Sequence, residues 1–218
     1  MSGINILASI WVIITIAGCG QTTRHGQETM TYNLTESEYL SLEGGSLLPL
    51  PELTAKVSKD LEEIRSNFPV VRNITHNRKW IPGQVLSTKI RMEQIDQLNS
   101  SSYGPLTNVE KIDVKPFFFI SVISFNKPYS PPVLCEKLES EFGFPCTPNI
   151  VYYEYEVDNI SYRMSNSTYI FKKGTGMCKD NCEDRLLWEF LIDNNGTASL
   201  VKEWSIPQNG ERVIIAKK

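Results

Sequence analysis

The chain has 218 residues and a formal net charge of -3, and its Lys and Arg residues are scattered along the sequence. Because nucleic-acid binding needs basic residues clustered on one surface, this pattern argues against a nucleic-acid partner. The length suffices for one domain of ordinary size, or for one compact domain with a second small sheet.

The N-terminal segment Met1–Cys19 contains no Lys, Arg, Asp or Glu, and it has an apolar run from Ile10 to Ile16 followed by Ala17 and Gly18. The run is too short to span a bilayer as a stable anchor. Its position predicts a signal peptide over residues 1–19. We therefore expect an exported protein with no stable membrane span after processing; the alternative is an ordinary buried helix.

The end of this segment, Ile16 to Cys19, is also similar to a bacterial lipobox, in which the cysteine is lipidated and becomes the mature N-terminus. This alternative predicts a lipid anchor at Cys19 and attachment to a bacterial membrane. Against it, the first residues contain no Lys or Arg, which a bacterial signal normally carries.

Sequons of the form Asn-x-Ser/Thr favour a glycosylated eukaryotic protein instead. Their asparagines are Asn33, Asn73, Asn99, Asn159, Asn166 and Asn195. An Asn-rich genome would also produce sequons without glycosylation, and this alternative stays open.

Four cysteines remain after Cys19, an even number that suits an oxidising destination. Three pairings are possible, and Cys135 with Cys146 and Cys178 with Cys182 is favoured because each bond closes a short loop. A zinc site would need two close Cys-x-x-Cys pairs, which these spacings do not provide, so we expect no metal.

Residues 20–49 are polar, contain Gly44-Gly45-Ser46 and show no sustained periodicity, so they are predicted to form a flexible leader. A helix is predicted to begin at Pro51 and to stop at Pro69, because apolar residues between them recur at helical spacing. Its inward residues are Leu53, Val57, Leu61 and Ile64.

The next segment alternates between strand and helix patterns. Strands are predicted near residues 84–90, 109–114, 117–125 and 149–157, with one helix after the first strand and another after the third. The inward residues are Met92, Ile95 and Leu98 in the first helix and Leu134, Leu138 and Phe142 in the second, which begins at Pro131 and ends at Gly143. This order is that of a ferredoxin-like βαββαβ module. With the preceding helix it covers residues 50–157.

Residues 158–218 are predicted to form a small antiparallel sheet packed on that module. The run from Asp193 to Gly196 is a strong hairpin signal, because Asn-Gly accepts the positive φ angles of a tight turn. The predicted fold class is therefore α+β, a ferredoxin-like module with an added C-terminal sheet.

The residues from Trp80 to Leu86, with the six-element order after them, resemble the first strand and fold of the subtilisin-propeptide-like inhibitor family. This resemblance covers about residues 80–157 and implies a protease inhibitor or a prodomain-like folding assistant. A wider resemblance, to uncharacterised secreted bacterial proteins, rests on Tyr169 to Cys182 and Trp188 to Phe190. It implies no activity.

Candidate catalytic residues are few. His25 and His76 are the only histidines, and His76 is interpreted as a surface loop residue beside a sequon. Glu154 and Glu156 share one face of a predicted strand, as the paired acids of a glycosidase could, but the solvated side of a half-buried strand is the simpler interpretation. We therefore expect no enzyme and no cofactor.

Taken together, these patterns favour a secreted, non-enzymatic protein that acts as an extracellular binding or matrix component, with an unidentified protein or matrix partner. Two alternatives stay open: a protease inhibitor, and a bacterial membrane-anchored lipoprotein.

Overall fold

The computed structural model describes residues 32–88, 90–114, 118–151, 158–175, 184–207 and 213–217. In these ranges the chain is an α+β protein with four α-helices and two antiparallel sheets. None of the helices in these ranges is long and apolar enough to cross a membrane.

The described helices and strands have the following bounds. The helices are α1 (Glu36–Glu43), α2 (Pro51–Asn67), α3 (Met92–Ser100) and α4 (Pro131–Phe142). The strands are β1 (Trp80–Ser87), β2 (Leu106–Val114), β3 (Phe118–Phe125), β4 (Thr147–Ile150), β5 (Asp158–Arg163), β6 (Thr168–Thr175), β7 (Asp184–Ile192), β8 (Ala198–Pro207) and β9 (Val213–Lys217).

The first sheet contains four strands in the order β2-β3-β1-β4, and every neighbouring pair is antiparallel. Helices α3 and α4 cover the same face of this sheet, because Leu98 and Leu134 lie in one buried cluster with Val85 and Ile123. Burying these apolar side chains together stabilises the layer of helices on the sheet.

Helix α4 has the ends that the sequence predicts. Pro131 lies at the first helical positions, where no intrahelical N–H bond is required. Gly143 ends the helix with φ of +58°, a left-handed conformation that favours glycine. Cys135 of α4 is bonded to Cys146, directly before β4, and their Cα atoms are 5.4 Å apart. This bridge, one of the two that the sequence predicts, ties α4 to the edge of the sheet.

The second sheet contains five strands in sequential order, β5-β6-β7-β8-β9, all antiparallel. Strands β7 and β8 are joined by the predicted hairpin turn. The carboxylate of Asp193 accepts hydrogen bonds from the backbone N–H groups of Asn195 and Thr197, and Gly196 has φ of +81°. The sequence therefore identified this turn by the residues that form it.

Helix α2 packs on the second sheet, although the sequence analysis grouped it with the first within residues 50–157. Its Val57, Leu61 and Ile64 lie in one cluster with Phe171 and Phe190. The inward face of α2 was predicted from its spacing, but the spacing does not say which sheet that face meets.

Helix α1 lies within the segment 20–49 that was predicted to be a flexible leader, and for residues 36–43 that prediction is wrong. Thr35 caps the helix together with Glu38 in a capping box. Leu40 and Leu42 are buried. Its apolar residues pack against two different cores and two of its buried residues are serines, so apolar and polar residues do not separate onto two faces and the helix gives no amphipathic signal.

One further prediction is wrong, and another is only partly covered by the described residues. Met92 was expected to point inward with Ile95 and Leu98, but its side chain is 65% exposed at the start of α3. The predicted strand over residues 149–157 is described only as β4, Thr147–Ile150, because residues 152–157 lie outside the described ranges.

Replacing Leu40 with Ala tests whether α1 belongs to the folded core. Because Leu40 is 0% exposed, we expect the free energy of unfolding to fall by about 2–5 kcal/mol in a urea titration. Leu50→Ala is the matched control, since Leu50 is 53% exposed and should change the value by less than about 0.5 kcal/mol. Equal, small effects for both variants would mean that α1 is not part of the core.

Candidate functional site

A surface pocket of about 390 Å³ lies where the start of α1, the end of α2 and the segment before β1 meet. We call it the arginine pocket. Its main lining residues are Glu36, Tyr39, Arg65, Arg72, His76 and Arg78. Cavities of a few hundred cubic ångströms are the size that binds small molecules.

The frame of the pocket is an ion pair between Glu36 of α1 and Arg65 of α2. Arg65 donates from Nη1 to Glu36 Oε2 at 2.8 Å and from Nη2 to Oε1 at 3.0 Å, a bidentate pair. Arg65 Nη2 also donates to the backbone carbonyl of Ile74 at 2.7 Å, and the backbone N–H of His76 donates to Glu36 Oε1 at 2.9 Å. These bonds join α1, α2 and the segment before β1 at one point.

Beneath this ion pair lies a second polar contact, between His76 and Glu43. His76 Nε2 is 2.9 Å from Glu43 Oε1, and the other carboxylate oxygen of Glu43 accepts from Lys79 Nζ at 3.0 Å. The side chains of His76 and Glu43 are 1% and 6% exposed, and the imidazole stacks on Tyr39 with ring centroids 5.9 Å apart. The sequence-based interpretation of His76 as a surface loop residue is therefore wrong, because its side chain is buried.

Arg72 and Arg78 are the exposed cations of the pocket. Arg78 lies over the ring of Tyr39, with the guanidinium carbon 4.7 Å from the centroid. Arg72 donates from Nε to the backbone carbonyl of Arg65 at 3.5 Å. Within the part of the chain that the structure describes, neither guanidinium forms an ion pair with a carboxylate.

A separate polar cluster lies between α2 and the second sheet. Tyr169 donates to Asp60 Oδ2 at 2.8 Å, and Lys56 forms an ion pair with the same carboxylate. Burial raises the pKa of Tyr169 far above its ordinary value, and the hydrogen bond to Asp60 and the charge of that carboxylate raise it further. Tyr169 stacks on Tyr162 at 4.7 Å between centroids. Tyr169 and Asp60 are buried, so the hydrogen bond between them contributes to stability, whereas the side chain of Lys56 is 45% exposed.

The predicted glycosylation sites differ in exposure. Asn159 is 6% exposed, and its side-chain oxygen accepts hydrogen bonds from the backbone N–H groups of Asn77 at 2.9 Å and Ile160 at 2.8 Å. The other five asparagines are exposed: Asn33, Asn73, Asn99, Asn166 and Asn195. The sequence could not distinguish Asn159 from them, because its partner Asn77 is 82 residues away.

Several candidate residues lie outside the described ranges. They are Cys19, His25, Glu154, Glu156, Cys178 and Cys182. Among the residues that are described, no group of three or more His, Cys, Asp or Glu side chains is arranged to hold a metal ion.

Comparison with known proteins identifies no family for this chain. No protein-family model, curated protein or solved structure matches the chain.

The raised pKa of Tyr169 predicts a loss of stability at high pH. Because the pKa is higher in the folded state than the ordinary value of 10.0, the unfolded state loses this proton first. The stability due to Tyr169 is complete below pH 10 and is lost as the pH rises above it. We expect the free energy of unfolding of the native chain to fall more steeply above pH 10 than that of Tyr169→Phe, by up to about 1.4 kcal/mol per pH unit.

Urea titrations of both proteins at several pH values between 9 and 11.5 measure this difference in slope. The variant also loses the hydrogen bond to Asp60, so the comparison uses slopes and not absolute stabilities. If the free energies of unfolding of the two proteins fell with pH at the same slope, the raised pKa of Tyr169 in the folded state would be contradicted.

Proposed function

We propose that the chain is a secreted, disulfide-bonded glycoprotein that acts by binding and not by catalysis, as an extracellular binding or matrix component. The observation that carries this proposal is the position of the sequons: five of the six asparagines lie exposed on the folded surface, where glycans can be accommodated. The bond between Cys135 and Cys146 supports an oxidising destination.

The geometry of the arginine pocket supports binding over catalysis. A general base must lie within hydrogen-bond reach of the proton that it removes, and histidine is the side chain most often used. The imidazole of His76 is 1% exposed, and its Nε2 already contacts Glu43. The pocket instead offers guanidinium groups held on a fixed frame, an arrangement suited to recognition of a ligand.

Protease inhibition is the second candidate function. We propose that β1, α3, β2, β3, α4 and β4 form a ferredoxin-like module, the fold of the inhibitor family that Trp80 to Leu86 resemble. The strand order β2-β3-β1-β4, its antiparallel pairing and the two helices on one face support this assignment. Inhibition of a subtilisin-like protease by an equimolar amount of the purified protein would favour this candidate over a matrix component.

Expression of the full chain in a eukaryotic secretory host tests the main proposal. The expected product in the medium lacks the N-terminal segment, carries glycans and contains oxidised cysteines, all measurable from the intact mass before and after deglycosylation and reduction. A diacyl or triacyl group on Cys19 in a bacterial host would support the lipoprotein alternative. An unprocessed chain in the cytosol with reduced cysteines would contradict export.

Glycan mapping of the secreted protein should find modification at exposed sequons and none at Asn159. A glycan would be attached to the amide nitrogen of Asn159, which is 6% exposed, so it would have to displace the side chains packed around that residue. Enzymatic deglycosylation in heavy-oxygen water, followed by peptide mass analysis, marks each modified asparagine. A secreted, folded product carrying a glycan at Asn159 would be the contrary result.

The variants Asn159→Asp and Asn159→Ala separate the sequon from the hydrogen bonds. Both remove the sequon, but Asp keeps an oxygen that accepts the two backbone N–H groups. We expect Asn159→Ala to lose about 1–3 kcal/mol more stability than Asn159→Asp in a urea titration, because it leaves buried donors unpaired.

A further inference from the structure

We propose that the arginine pocket binds the oxyanion of a small anionic saccharide, with Arg72 and Arg78 as the groups that contact it. This inference rests on the proposed binding function and names its ligand class. The pocket is positively charged, its frame is held by hydrogen bonds, and a depression beside it carries hydroxyl side chains.

The pocket is positively charged although the whole chain is negative. Its lining contains the guanidinium groups of Arg65, Arg72 and Arg78 and one carboxylate, that of Glu36, an excess of two positive charges. The chain as a whole has a net charge of -3. A local field of this sign attracts anions to the pocket.

The carboxylate of Glu36 is not available to neutralise Arg72 and Arg78. One of its oxygens accepts from Arg65 Nη1, and the other accepts from Arg65 Nη2 and the backbone N–H of His76. Glu43, the other acid nearby, is 6% exposed and already contacts His76 and Lys79. The positive charge of Arg72 and Arg78 is therefore not cancelled by a carboxylate of the pocket.

The exposed arginines lie on a fixed frame, which lowers the entropic cost of binding. The guanidinium of Arg78 lies over Tyr39, which is 3% exposed and stacks on His76. A guanidinium held by its face over an aromatic ring keeps its N–H groups at the edge free to donate. Arg72 has a weaker contact, the 3.5 Å hydrogen bond from its Nε to the backbone carbonyl of Arg65 on α2.

The chemistry of the ligand follows from the donors and from the neighbouring surface. Guanidinium groups bind carboxylate, sulfate and phosphate in a bidentate manner. A second depression of about 600 Å³ shares Glu36, Arg65 and Arg72 with the pocket and adds the exposed hydroxyl side chains of Ser58 and Ser66, with Glu62 on its border. Hydroxyls that donate and accept hydrogen bonds suit a polyhydroxylated molecule, so the oxyanion is assigned to a sugar.

Calorimetric titration of the secreted full chain, with its glycans in place, tests this assignment. The probes are glucuronate, glucose 6-sulfate and glucose 6-phosphate, with glucose and inorganic sulfate as the neutral and sugar-free comparisons. We expect at least one of the three sugar anions to bind more tightly than either comparison, and the best probe identifies the oxyanion. The binding constant should also fall with added salt.

The variants Arg72→Gln and Arg78→Gln should each weaken binding of the best probe by about tenfold or more, because each removes charge-assisted hydrogen bonds. The affinity of Arg72→Lys should lie between those of Arg72→Gln and the native chain, because Lys keeps the charge but cannot form the bidentate hydrogen bonds of a guanidinium group. Arg163→Gln, which removes an exposed arginine at the end of β5, is the matched control and should leave binding unchanged. Because Arg72 and Arg78 are exposed, these variants should keep the native melting temperature.

Three results would overturn the inference. The first is that a secreted, folded protein binds none of the sugar anions, and the second is that Arg163→Gln weakens binding of the best probe as much as the pocket variants do. The third is equal affinity for inorganic sulfate and glucose 6-sulfate, which would exclude a role for the sugar. In each case the protein would still be exported and glycosylated, so the proposed function would stand. Failure of export itself is detected separately, by the intact mass of the protein from the medium.

Discussion

The burial of α1 between the two sheets is the constraint on which the rest of the structure depends. Leu40 lies in the core that α2 shares with the second sheet, whereas Tyr39 and Leu42 pack against Trp80 of the first. The hydroxyl of Ser130 donates to the carbonyl of Leu42 and fixes the helix to the loop before α4. Because Glu36, Tyr39 and Glu43 all belong to α1, placing this helix also places the arginine pocket.

The polar residues where α1, α2 and the segment before β1 meet are paired, and this pairing lowers the free-energy cost of burying them. An isolated buried charge is costly, whereas a charge with several hydrogen bonds is not. Glu43 contacts the imidazole of His76 and the ammonium group of Lys79, and Glu36 accepts hydrogen bonds from three donors. The consequence is a division of roles: the inner residues hold the frame, and the outer Arg72 and Arg78 remain on the surface.

Local signals predicted much of the fold. Helices α2 and α4 were recognised because prolines mark their first turns and apolar residues recur on one face, and the turn at Asp193–Gly196 was recognised by its residues. Helix α1 was missed because both sides of it are buried. The site was missed because its partners are distant in sequence: Glu36 meets the backbone of His76 at a separation of 40 residues, and Glu43 meets its ring at 33.

In a host that glycosylates the chain, the buried sequon at Asn159 would set folding and modification in competition during synthesis. Asn159 and Asn77 belong to segments 82 residues apart, and the contact between them forms only when β5 docks on the segment before β1. An oligosaccharide transferred before that moment would block docking, whereas prompt docking hides the acceptor amide. The time that separates translation of residue 159 from its docking would then decide whether this asparagine is modified.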